Sequence, residues 1–105
     1  MATKLKTPDA PVAGYEKLQA VLLDAYNQSA RGKGQERHQT EDKAFEDQPI
    51  LVGARQFGTG SLLFQAFKKS EESQRLEYAK ARAELLGAIV YLCAAVVHLD
   101  EVNGN

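Results

Sequence analysis

Along the chain the apolar positions fall into four helical stretches separated by polar or glycine-containing connections. Tyr15, Leu18, Leu22, Ala25 and Tyr26 recur three and four residues apart, with Glu16, Lys17, Gln19, Asp24 and Gln28 between them, which predicts an amphipathic helix over residues 14–30. Arg31-Gly32-Lys33-Gly34 ends it, because glycine accepts the left-handed backbone that stops a helix and cations suit its negative end. Residues 31–44 form a polar connection. Its segment 36–43 has too little apolar content to bury anything of its own and belongs on the surface. Asp47 or Gln48 then caps a second helix with Pro49 in its first turn, Ile50, Leu51, Ala54 and Phe57 at helical spacing, and Gly58 as its stop. A tight link, with Thr59 or Ser61 as cap, leads to a third helix that carries Leu62, Leu63, Phe64, Ala66 and Phe67 and ends in Lys68-Lys69-Ser70-Glu71-Glu72.

From about Gln74 to Glu101 no proline interrupts the chain, and Leu76, Ala79, Ala83, Leu86, Val90, Cys93 and Val97 trace one face of a long final helix. Its first half carries Glu77, Lys80, Arg82 and Glu84 on the other face. From Leu85 onward it is apolar almost all round, which requires shelter on more than one side. A short chain has few other helices to supply that shelter, so a second copy or a partner is expected to cover part of it. No segment has strand periodicity. The expected fold is all-α, a bundle of four to five helices with a long, largely buried C-terminal helix. One helical domain spans residues 14–101, between a loose arm (1–13) and a disordered tail (102–105). Self-association is expected through Leu86, Gly87, Val90, Ala94 and Val97, where small residues let another backbone approach.

Composition narrows the functional classes. The chain has 105 residues, 44% apolar and 26% charged, ordinary values for one small globular domain. Thirteen Lys and Arg against fourteen Asp and Glu give a formal net charge of −1, which argues against a nucleic-acid or anionic-membrane partner. The single cysteine, Cys93, lies in an apolar run and is expected to be a buried free thiol, as suits a reducing cytoplasm. That run, residues 85–97, is shorter than the roughly 18 to 20 residues that span a bilayer, and residues 1–13 lack the apolar core of a signal peptide.

Chemistry is sparse. His38, Cys93 and His98 do not converge on a metal, and His98 is expected to be a partly exposed histidine near a helix C-terminus. No two carboxylates stand three residues apart, the spacing that helical enzymes acting on nucleoside triphosphates use to hold magnesium. Neither a nucleophile in a strained turn nor a complete phosphate-binding loop is present: residues 53–59 have the glycine spacing but lack the lysine. The expectation is a protein with no enzymatic activity, no metal and no cofactor.

Two surfaces remain. Residues 54–69 have the outline of a helix-turn-helix, although the positions that would face bases, Ser61, Leu62, Gln65 and Ala66, are poor in donors and Thr59 stands where an apolar residue is usual. The donor-rich residues Lys33, Arg37, His38, Gln48, Gln65, Lys68 and Lys69, near Arg31, Glu36 and Phe45, are the candidate partner-binding set. The plainer alternative is that Glu36, Glu41 and Glu46 pair with these cations in a solvated loop.

The runs Gly32-Lys33-Gly34-Gln35-Glu36-Arg37-His38, Phe45-Glu46-Asp47-Gln48-Pro49, Gln65-Ala66-Phe67-Lys68-Lys69-Ser70-Glu71 and Glu84-Leu85-Leu86-Gly87-Ala88-Ile89-Val90-Tyr91-Leu92 carry a resemblance. Over residues 32–92 the chain resembles a family of small all-helical proteins of unknown function encoded in bacteriophages and prophages. The resemblance implies a cytoplasmic accessory protein that acts stoichiometrically on a host factor, defence systems included. Three functional expectations follow in order: a non-catalytic protein that binds a partner protein, a helix-turn-helix DNA-binding regulator, and a nucleotide-binding sponge at a subunit interface.

Overall fold

The computed structural model of the protein describes residues 11–31 and 43–104. The chain is all-α: α1 (Glu16–Arg31), α2 (Pro49–Phe57), α3 (Gly60–Ser73) and α4 (Tyr78–Val102), with a 3-10 turn at Phe45–Asp47 leading into α2. Four α-helices and no strand occur among the described residues.

Covalent constraints place the ends of α2. Gln48 is extended, Pro49 takes the first turn, and Gly58 closes the helix at φ +92°, a backbone state that disfavours any side chain. Neither Thr59 nor Ser61 caps α3 through its side chain; the Ser61 hydroxyl donates back to the Gly58 carbonyl at 2.9 Å. The last helix begins at Tyr78, later than apolar periodicity alone indicates. Gln74–Leu76 turn away, and the Glu77 carboxylate then accepts hydrogen bonds from the Ala79 and Lys80 amides at 3.2 and 2.9 Å. At its far end Val102 is still helical, and the Asn103 carboxamide donates to the Leu99 carbonyl at 2.9 Å. Residues 102–104 therefore close the helix and are not the loose tail that composition suggests.

The first helix, α2 and α3 all pack on α4, with α3 running along it most extensively. The buried apolar residues are Leu51, Leu62 and Leu86 together with Ala25, Ala54, Ala66, Ala88, Ala94 and Ala95. Alanine at six of these nine positions lets the helices approach closely but encloses little side-chain volume. Correspondingly, Leu63, Phe64 and Phe67 of α3 and Leu85, Leu92, Val96 and Leu99 of α4 remain exposed. The long helix is less enclosed than expected: fully buried positions make up 28% of its most apolar stretch, and others are half-buried.

By length and composition α4 could cross a membrane. Its uncharged run, residues 85–99, extends only about 22 Å against a hydrocarbon core of about 30 Å. Ion pairs tie both ends to neighbouring helices. Glu84 meets Lys69 of α3 at 3.1 Å, and Glu101 takes a two-pronged bond from Arg55 of α2, with Nε to Oε1 at 3.0 Å and Nη2 to Oε2 at 2.8 Å. Arg55 also donates to the Glu46 carbonyl at 2.7 Å, so one guanidinium joins the 3-10 turn, α2 and α4. On the opposite flank Arg82 bonds Asp24 at 2.7 Å, and the Gln28 amide donates to the Ala83 carbonyl at 3.0 Å, holding α1 on α4.

Hydrogen bonding and charge from Arg55 hold the Glu101 carboxyl below its usual range. A depressed folded-state pKa contributes stability above the unfolded value and loses it as pH falls through the folded one. Arg55→Met should therefore remove one acid-sensitive component of stability, flattening the decline in thermal midpoint between about pH 5 and 2 when followed by circular dichroism. Leu51→Ala, at a fully buried site, should cost about 3 kcal/mol in chemical denaturation.

Candidate functional site

Between α1, the 3-10 turn, α2, α3 and α4 lies a half-open cleft of about 780 Å³. Phe45, Pro49, Ile50, Leu62, Val90 and Tyr91 make its apolar wall, and Gln28, Gln48, Gln65, Lys69 and Glu84 supply its polar groups. A volume of this order, mostly apolar with a few convergent polar groups, is typical of binding clefts.

Local structure positions each polar group. Gln48 sits at the start of α2 and donates its side-chain amide to the Lys43 carbonyl at 3.1 Å, while Gln28 donates to Ala83; both therefore keep a carboxamide oxygen as an acceptor. Lys69 is the most constrained. Its ammonium is 3.1 Å from Glu84 and 5.9 Å from the centre of the Tyr91 ring, and the stem lies flat across Gly87. A Cβ at position 87 would stand 3.1 Å from Lys69 Cδ and 3.3 Å from Cε, so any side chain there makes the lysine stem give way by a few tenths of an ångström. The cation is paired within the cleft, whose lining carries no net charge among the described residues.

The structure brings together Gln48, Gln65 and Lys69 of the partner-binding set, with Phe45 beside them. Lys68 is exposed on α3 and does not line the cleft. Lys33, Arg37 and His38 lie outside the described residues. The expected self-association face is turned inward: Leu86 and Ala94 are buried, Gly87 and Val90 line the cleft, and Val97 packs against the core. These positions follow the side of α4 that α1, α2 and α3 occupy, and the uncovered apolar line is a different one. Cys93, expected to be buried, is exposed on that uncovered side.

Two further expectations change. His98 is 8% exposed, not partly open, and its Nδ1 lies 2.7 Å from the Thr59 hydroxyl. That bond accounts for a polar residue at the position where a helix-turn-helix usually carries an apolar one. Leu62 and Ala66, which would face base edges in such a motif, are buried and unavailable to DNA. Among the described residues no group of three His, Cys, Asp or Glu side chains could hold a metal ion.

Gln28, Glu84 and Tyr91 also line the cleft, although none of them is among the expected binding residues. Glu84, Gly87 and Tyr91 stand three and four residues apart on one helix face, a charged residue and an aromatic flanking a glycine, and this spacing was the available signal. Gly87→Ala should lift the Lys69 stem while adding helix propensity. Thermal stability should stay within about 1 kcal/mol of the parent, and Lys69 should be acetylated faster in a mass-spectrometric footprint. A loss of several kcal/mol would contradict this account of the contact.

Compared with family models, curated proteins and solved structures, the chain matches none.

Proposed function

We propose that this chain is a non-catalytic binding protein that seats a segment of a partner protein in the cleft between α1 and α4. The observation that carries this is the internal pairing of Lys69 with Glu84 beside an aromatic wall and three carboxamides. Carboxamides match the donors and acceptors of a peptide backbone, and the apolar wall suits the intervening side chains. A multiply charged ligand would have to pull Lys69 from Glu84 to gain one cation, which disfavours the nucleotide sponge. Burial of Leu62 and Ala66 disfavours the DNA-binding regulator. The resemblance of residues 32–92 to phage and prophage proteins supplies the proposed setting: the bacterial cytoplasm, with a host factor, such as a defence component, as the protein held.

The test uses the full chain immobilised on resin and a bacterial lysate, with captured proteins quantified by mass spectrometry. Gln65→Ala combined with Lys69→Met should reduce capture of the specific partner at least tenfold while helicity is kept. Undiminished capture places the partner elsewhere on the surface. A nucleotide that raises the thermal midpoint of the parent but not of the double variant would favour the sponge instead.

A further inference from the structure

The uncovered side of α4 has an order that the cleft does not explain. Leu85, Ile89, Leu92, Val96 and Leu99, of which Ile89 is half-buried and the other four are exposed, follow one another at spacings of four, three, four and three residues, the repeat that keeps a helical seam facing a partner helix. In heptad register the β-branched Ile89 and Val96 take one core position, and Leu85, Leu92 and Leu99 take the other. That division of residue types favours two strands over three or four. No charged residue lies within the stripe, and the cleft residues Gly87, Val90 and Tyr91 sit on other faces of the same helix.

The geometry points to a second copy of this chain as the occupant, docked stripe to stripe across a two-fold axis. A self-complementary line meets its own copy without any new surface being needed. The helix is already ordered by its contacts with α1, α2 and α3, so two heptads suffice where an isolated peptide would need more. Area agrees. Leu63 and Phe67 of α3 do not line the cleft, and with Leu85, Leu92, Val96 and Leu99 they are between 46% and 63% exposed. Together they present about 600 Å² of apolar surface, most of the roughly 800 Å² per partner of a stable interface. The inference concerns the face opposite the cleft and does not depend on what the cleft holds.

Light scattering coupled to gel filtration of the full chain at about 50 μM should give twice the 11.5 kDa chain mass. Leu92→Glu with Val96→Glu, both at exposed positions, should give a monomer of unchanged helicity by circular dichroism. The lone Cys93 borders the stripe near its middle, so a short bis-maleimide should join two parent chains and fail to join the double variant. A monomeric parent, a mass of three or more copies, or a dimer unaffected by both glutamates would overturn the inference. So would a monomeric parent that floats with phosphatidylcholine vesicles, which would assign the stripe to lipid.

Discussion

Close approach on alanine is the constraint from which the rest of this structure follows. Where Ala54, Ala94 and Ala95 pack with Leu51 and Leu62 across α2, α3 and α4, backbones can come near one another, and the interior fills with few bulky side chains. Large residues are displaced outward as a result. The same packing opens the cleft, because the short α2 leaves room beside α4 that neither alanine nor Gly87 occupies.

Polar contacts compensate for the thin interior by tying elements together at their ends. Arg55 joins three segments, Arg82 anchors α1, and the Thr59 hydroxyl meets His98 at the corner between α2 and α3. The two exposed ion pairs, Arg55 with Glu101 and Arg82 with Asp24, individually add little to stability. Their value here is positional: they set where each helix lies along α4 and hence the shape of the cleft wall. Lys69 differs because it is held inside the cleft, where its partner, its ring contact and the missing side chain of Gly87 form one unit.

All four helices were legible from periodicity, and the limits of α2 were legible because Pro49 and Gly58 act through covalent geometry. Gln48, Gln65 and Lys69 could be nominated from residue type. What periodicity could not decide was which line of α4 faces inward. The lines 86–90–94–97 and 85–89–92–96–99 are both apolar, and the choice between them is made by tertiary contacts with α1, α2 and α3. Cys93 and His98 followed that choice, one outward and one inward. Glu77 was hidden for another reason: a capping glutamate looks like any surface carboxylate until the backbone amides it serves are seen.

The corner at Glu77 also has an entropic consequence. The third and fourth helices make the most extensive contact among the described residues, yet only the four residues 74–77 separate them. Closing so short a loop costs little chain entropy, whereas bringing Asp24 to Arg82 closes one of 58 residues. Loop-closure entropy therefore favours the α3–α4 contact, with its carboxylate-capped corner, over the docking of α1 that completes the cleft.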